Sequence, residues 1–514
     1  MKTEPKNLPL TQTSAAEYRE EIAVLKTLLC EWEDKYQRLL EQFKLSQHNR
    51  FGKSSEAHPE QGQLFNEAEA ILESEPESVI PSYTRKKSKG RPKLPTDLPR
   101  EYVTHDLPDA DKVCDCCGHP LHQVGQETCE KLDFIPAQIK VIEHIRPKYS
   151  CRACEHQDTQ VAFKIMPPVL SLIPRSISTP TLLAQIITQK YQYGLPLYRQ
   201  ESLFTQLGIE LNRKTMSSWM LKVATALERL YQLMIKVLLA QPVIHTDETP
   251  LKVIHSDKAK CYMWVYCCGT DGPTVNNHTS TSNPPNIVIY DYQSGRGAEH
   301  PINFLQGYHQ YLQVDGYQAY DLTDAVLVAC MAHARRKFTD AEKVLGKGKA
   351  GKVQWALSLF QKLYRIEKEI KGKSADEIYR IRQERAKPLM TAYKDWLDKS
   401  INQVPPKSTL GKAIAYSLNQ WPKLIRYLDD GRLNIDNNRA ERAIKPFVIG
   451  RKNWLFSNTV KGANASAVLY SFIETAKANG LVPFDYLTKI FNELPKLNDE
   501  AELDHLLPWN LKLK

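Results

Sequence analysis

Three acidic side chains stand where they could handle a divalent cation beside a phosphodiester. Asp247 lies inside an apolar run that opens Val243-Ile-His-Thr-Asp-Glu-Thr249, and Asp315 closes a second run, Leu312-Gln-Val-Asp315, just before Gly316. A charge that ends an apolar strand is costly unless it faces an open cleft or meets a cation. Two carboxylates on neighbouring strands repel each other, which favours a shared proton or a bound metal. Hard oxygen donors suit Mg²⁺ or Mn²⁺. For either aspartate alone, a turn or a helix cap is the plainer reading. The third acid, Glu441, sits in Asn437-Asn-Arg-Ala-Glu-Arg-Ala-Ile-Lys-Pro446. Read as a helix, this segment puts Asn437, Glu441 and Lys445 on one face at i, i+4 and i+8. A solvated helix with ordinary ion pairing is the competing reading.

A second chemistry is written in cysteine. Cys114-x-x-Cys117, followed by Gly118, and Cys151-x-x-Cys154 are separated by 33 residues. Two such knuckles form a tetrahedral zinc site with four thiolates, and the segment between them alternates like the short strands of a zinc ribbon. The metal there is structural, because four thiolates leave no open position. His144 and His156 are alternative donors, and buried cysteines with chance spacing are the competing reading.

The elements that must hold these groups follow from periodicity. Val243–Thr249, Cys261–Cys268, Asn286–Asp291, Tyr311–Asp315 and Ala325–Cys330 read as strands, with a helix before the fourth. Three strands, a helix and a strand ending in Asp predict an α/β sheet of ribonuclease-H-like order. Upstream, Leu197–Leu207 and the stretch after Asn212 read as two helices separated by Gly208, the outline of a helix-turn-helix with Arg213 and Lys214 opening its second helix. Most helix pairs joined by a glycine are plain core. Near the N-terminus, Tyr18, Ile22, Leu25, Leu29, Trp32, Tyr36, Leu39 and Phe43 follow steps of four and three without Gly or Pro. That heptad seam predicts a coiled coil, with Glu21 and Lys26 placed for an interhelical pair, although a helix docked on its own core would read similarly.

Composition limits what remains. The chain has 514 residues, 42% hydrophobic and 25% charged, with a formal charge of +10. That is globular material for several domains. No apolar run approaches the ~18–20 residues of a membrane span. The N-terminus has no apolar signal core, so the protein is expected in a reducing cytoplasm, where its cysteines serve as metal ligands and core residues rather than disulfides. The positive charge is concentrated between Pro81 and Arg100, which hold seven basic residues against the single acid Asp97. Within a Pro-, Ser- and Lys-rich linker, Gly90-Arg91-Pro92-Lys93 could lie in a narrow minor groove, or act as a solvated tether.

In order and content these motifs resemble the transposases of the insertion-sequence-66 family, of the DDE class. The matching segments are Asn49-Arg-Phe-Gly-Lys-Ser-Ser-Glu56, the basic linker, both cysteine knuckles, Leu195-Pro-Leu-Tyr-Arg-Gln200, His245-Thr-Asp-Glu-Thr249, Asp315-Gly-Tyr317, His333-Ala-Arg-Arg336, Asn437-Asn-Arg-Ala-Glu-Arg442 and Gly450-Arg-Lys-Asn-Trp-Leu-Phe456. Asp115 departs from the proline the family usually has in the first knuckle. The resemblance implies a catalytic triad of Asp247, Asp315 and Glu441 holding two Mg²⁺ (or Mn²⁺) ions. It also implies strand cleavage and joining at double-stranded DNA ends, recognition of terminal inverted repeats and target DNA, and accessory transposition proteins as possible partners. An inactive or domesticated DNA-binding protein, and a nuclease without strand transfer, are the alternatives.

The resulting multidomain α+β plan has a coiled-coil helix (1–53) and a basic flexible linker (54–100). A zinc ribbon (101–170) and a helix-turn-helix-like DNA-binding region (171–240) come next. A ribonuclease-H-like core (241–339) is interrupted by a mostly helical insertion (340–430) and completed by the Glu441 helix (431–480), before a helical tail (481–514). Dimerisation or higher assembly is expected through the first helix, with no membrane partner. His333, Arg335 and Arg336, after the fifth strand, could contact phosphate near the acids or simply pair acids of the insertion, and by charge Lys445, Arg451 and Lys452 are candidate phosphate contacts. Glu248 is expected to face away from Asp247 across the strand.

Overall fold

The structure, a computed structural model, describes residues 15–51, 139–149, 164–258, 260–270, 285–345, 351–497 and 502–511. The chain forms two units, Met1–Ser74 with Pro168–Lys514, and Glu75–Pro167. In the smaller unit, Lys148–Tyr149 and Lys164–Ile165 pair antiparallel, and Arg146 donates to the Met166 carbonyl at 3.1 Å. Cys114, Cys117, Cys151 and Cys154, with Arg91 and Lys93, lie outside the described residues.

In the larger unit the first helix, α1, spans Ala15–Phe51. Four helices follow: α2 (Pro180–Tyr191), α3 (Leu197–Gln206), α4 (Arg213–Ala226) and α5 (Glu228–Leu239). Their starts are locally encoded. Thr179 accepts from the Leu182 N–H at 3.2 Å with Pro180 in the first turn of α2, and Asn212 accepts from the Thr215 N–H at 2.9 Å at the start of α4. Gly208, at φ +79°, makes the turn between α3 and α4.

Next come β1 (Val243–Leu251), β2 (Val253–His255), β3 (Cys261–Cys268), β4 (Ile287–Gln293), α6 (Glu299–Phe304), β5 (Tyr311–Val314) and β6 (Val326–Ala329). Five strands make one sheet in the order β4-β3-β1-β5-β6, with β4, β3 and β1 antiparallel and β5 and β6 parallel to β1. The predicted strands fall within two residues of these bounds. All of β3 except Tyr262 is buried, so its run of apolar residues reflects covering on both faces.

After β6 the chain is helical: α7 (Met331–Leu345), α8 (Gly351–Ile370), α9 (Ala375–Ile381), a π-helical turn (Arg382–Ala386), α10 (Lys387–Ile401), α11 (Thr409–Asn419) and α12 (Trp421–Leu424). These helices bury their own core, with Phe338, Phe360, Met390, Tyr393 and Ile414 inside it. The chain then returns to the sheet with α13 (Asn438–Trp454), β7 (Ser457–Thr459, parallel to β2), α14 (Val460–Ala478) and α15 (Pro483–Glu493).

β4 is an edge strand, and α14 covers it with hydroxyls. Ser471 Oγ accepts from the Tyr290 N–H at 2.8 Å. Thr475 Oγ1 accepts from the Val288 N–H at 3.0 Å and donates to the Val288 carbonyl at 2.9 Å. Edge backbone that would otherwise offer itself to another chain is thereby occupied. A single core runs through α2–α5, the sheet and α13–α15. The lines drawn in the sequence at 240 and 480 therefore do not fall at breaks in packing. The segment expected as a tail buries Tyr486, Leu487, Ile490, Phe491, Leu506 and Leu507 completely, because its apolar residues repeat at helical spacing and meet α2. Among the described residues, no helix is long and apolar enough to cross a membrane.

Candidate active site

The pairing of β1 with β5 sets Val243 beside Tyr311 and His245 beside Gln313. Asp247 lies two residues beyond that pairing on β1 and Asp315 two residues beyond it just past the end of β5, close enough for the Asp315 charge to act on Asp247. Asp315 follows the last residue of β5. Gly316, at φ +99°, turns the chain, and Asp315 Oδ1 accepts from the Tyr317 N–H at 2.9 Å while its carbonyl accepts from Tyr416 Oη at 3.0 Å. Asp247 Oδ1 accepts from the Glu248 N–H at 2.8 Å.

Glu441 arrives from the other end of the chain, and a clasp of buried amides holds it there. Gln313 on β5 donates to the carbonyls of Asn434 (2.8 Å) and Asp436 (3.2 Å) and accepts from the Asn434 N–H (3.0 Å). Asn437, 1% exposed, donates to the Thr246 carbonyl at 2.8 Å and pairs through Oδ1 with His245 Nδ1 at 3.1 Å. Its backbone N–H donates to Cys330 Sγ at 3.2 Å. Asn437 thus docks the start of α13 on β1, and Glu441 follows one turn later. The sequence placed Asn437, Glu441 and Lys445 on one helix face without assigning the amide a partner. The structure spends the amide on the strand.

Strand alternation sorts the two adjacent acids. Glu248 turns to the opposite face, where Oε2 accepts from Tyr320 Oη at 2.7 Å and Oε1 accepts from Arg296 Nε at 2.8 Å. The Tyr317 ring stacks on that guanidinium, 3.8 Å from its centroid. Asp247 stays on the α13 side, as Arg451 donating to Thr249 Oγ1 at 3.3 Å also marks.

The electrostatics are those of crowded carboxylates. Burial pushes Asp247 well above the usual carboxylate range, and the charges of Glu248, Asp315 and Glu441 push it further. Glu441, 3% exposed, is raised to about 7, first by burial, with Asp436 and Asp315 adding to it and Arg336 opposing. Among the described residues, its Oε1 has no hydrogen-bond partner. His333, in the first turn of α7, has Nδ1 3.8 Å from that oxygen. Burial and Arg336 lower His333 to about 4, so the imidazole is neutral at pH 7 and forms no ion pair. A buried carboxylate oxygen without a donor, beside two further acids, fits a hard cation.

Comparison with known proteins gives this geometry a family. The model described as "Transposase IS66 family" matches residues 175–465, more than half of the chain and all three acids. The chain belongs to the IS66 family of transposases. Three further models of the family match in order: "Transposase C of IS166 homeodomain" over 38–103, the zinc-finger binding domain over 111–155 and the C-terminal element over 471–509. The zinc-finger match spans Cys114, Cys117, Cys151 and Cys154. Relatives in Sinorhizobium fredii include "Uncharacterized protein y4jD", 34% identical over 82% of this chain and 81% of the relative. Another is "Uncharacterized protein y4hP", 32% identical over 85% and 79%.

Of the basic residues singled out in this IS66 chain, Arg213 and Lys214 are exposed at the start of α4, and Lys452 is exposed near the end of α13. Arg336, Lys445 and Arg451 are half-buried, and Arg335 is 6% exposed. The residues that sequence reasoning missed are the clasp: Gln313, Asn434 and the positioning role of Asn437. A buried Gln inside an apolar strand was the available signal, since it must be hydrogen-bonded.

Proposed function

We propose that this chain is a working DNA transposase that cleaves strands at element ends and joins 3′ ends to target DNA. The reading is supported by the mutual electrostatic influence of Asp247, Asp315 and Glu441, on β1, after β5 and on α13, with a buried Glu441 oxygen that no donor among the described residues satisfies. The strand order β4-β3-β1-β5-β6 supports a ribonuclease-H-like core, and the helices α8–α12 support an insertion within it. Asp247, Asp315 and Glu441 would hold two Mg²⁺ or Mn²⁺ ions, which would supply Lewis-acid activation and charge neutralisation for phosphodiester transfer. The residues themselves do the positioning. The clasp of Asn437 fixes Glu441 against β1, Gly316 frees the turn that aims Asp315, and Arg296 with Tyr320 keeps Glu248 out of the site.

DNA binding is assigned to exposed and half-buried cations: Arg336, Lys445, Arg451 and Lys452 beside the acids, and Arg213 and Lys214 on α4. Arg335, buried, is left out. The zinc ribbon of Cys114, Cys117, Cys151 and Cys154 and the arm at Arg91 and Lys93 complete the reading of the terminal repeats. The exposed seam of α1 pairs two copies, as two element ends require.

Labelled element ends incubated with the protein and Mg²⁺ test the proposal. Cleavage followed by strand-transfer products from pre-cut ends is the expected result. Cutting without joining points to the nuclease reading. End binding with neither reaction points to the domesticated one.

A further inference from the structure

His333 stands third in α7, directly behind β6. Its Nδ1 and Glu441 Oε1 face each other at 3.8 Å, both atoms are buried, and among the described residues neither has a hydrogen-bond partner. That separation is too long for a direct hydrogen bond and leaves room for a cation bridging the two atoms. The third donor nearby is Cys330 Sγ, which lies within 4.8 Å of both. That sulfur is fully buried and already accepts the Asn437 N–H at 3.2 Å, so it walls the site rather than opening into it. Donor atoms on neighbouring vertices of an octahedral ion with ~2.1 Å bonds are about 3 Å apart, so a small closing movement completes the geometry.

We propose that His333 is an additional ligand to the divalent ion held by Glu441, giving that ion a mixed nitrogen–oxygen set. The inference rests on the reading of the acids as metal ligands and adds to it a selectivity: an imidazole donor favours Mn²⁺ over Mg²⁺, which prefers oxygen. His245, the other buried histidine of the site, does not compete, since Asn437 and Asn434 engage its two ring nitrogens.

Pulse electron paramagnetic resonance of Mn²⁺ added to the full-length, zinc-loaded protein decides it. The expected spectrum carries ¹⁴N coupling, which changes to ¹⁵N when histidine alone is ¹⁵N-labelled. In His333→Gln and His333→Ala, with unchanged circular dichroism, the coupling is lost. Mn²⁺ affinity then falls about tenfold, while Mg²⁺ affinity changes less than about threefold. Mn²⁺ that binds without nitrogen coupling, and whose binding Asp247→Asn abolishes, overturns the role of His333 and leaves the acid site standing. Mn²⁺ binding that is absent, or indifferent to Asp247→Asn, overturns both. Because the labelled wild-type spectrum needs no variant, a misfolded substitution does not protect the proposal.

Discussion

The start of α13 and the seam of α1 break the usual inside–outside rule in opposite directions. At α13 a carboxylate is buried, Glu441 at 3% exposure. Along α1 large apolar side chains are left in water, Leu29 at 60% and Trp32 at 65% exposure. The two regions are also held differently. Glu441 is fixed by amide hydrogen bonds that close onto β1 and β5. Near its end α1 is fastened by the buried Glu41, whose carboxylate accepts the Thr409 N–H at 3.2 Å at the start of α11. Neither exception is a stable end state in isolation. A buried acid cluster asks for positive charge, and an exposed heptad seam asks for a second helix. The difference is that the first is held by the fold around it, whereas the exposed seam is not covered by the described residues of its own chain.

The sharpest way to break the comparison is Asp247→Asn. Strand cleavage should fall by roughly a thousandfold or more, at least about 4 kcal/mol of transition-state stabilisation, while end binding in a gel-shift assay stays within about threefold. Retained cutting would remove the acid cluster from the chemistry.

A smaller effect follows from the raised carboxylate. Burial lifts Glu441 from its ordinary value to about 7. Over that interval the folded chain holds a proton that the unfolded chain has lost. Stability of the metal-free protein therefore falls as the pH rises from about 4.5 to about 7, by on the order of 2–3 kcal/mol, and is flat above. Asp247, raised for the same reason, adds to the slope with the same sign. Urea unfolding across this range should show the decline, a shallower one in Glu441→Gln, and recovery with saturating Mn²⁺. Stability that rises with pH through neutrality would contradict a crowded, buried acid site.

Asn437→Ala tests the clasp directly. It removes the amide from the Thr246 carbonyl and from His245 Nδ1 inside the core. A loss of about 2 kcal/mol in unfolding free energy is expected, with Mn²⁺ affinity weakened about tenfold through misplacement of Glu441. Unchanged metal affinity would mean that the fold holds Glu441 without the amide.

The smallest effect on stability belongs to α1. At concentrations where the chain is monomeric, Leu29→Glu with Trp32→Glu should change the unfolding free energy by no more than about 0.5 kcal/mol, because within one chain both side chains are exposed. Light scattering should nonetheless report a smaller assembly than wild type. An unchanged particle size would leave the seam without its second helix.

Much of this was legible along the chain. The five strands, the caps at Thr179 and Asn212, the helix holding Glu441 and the three acids are encoded by periodicity and by residue type over short windows. Local pattern also put Asp247 and Glu248 on opposite faces, since side chains alternate along any strand. What local pattern could not reach is whatever depends on partners far apart in sequence. Helical spacing put Asn437 on one face with Glu441 without naming its partners, which are Thr246 and His245, about 190 residues upstream. The segment after 480 was read as a tail because helical spacing says that a face is apolar without saying what covers it. His333 was a charge candidate among neighbours until β6 and α13 brought it to Glu441.

By itself the sequence determined which groups could do chemistry and which elements carry them, because backbone propensity and side-chain period act within a few residues. Only the tertiary structure decided which acid is buried, which amide positions and which imidazole faces the carboxylate. Those outcomes depend on desolvation and on hydrogen bonds between distant segments, and both terms come into being when the core closes.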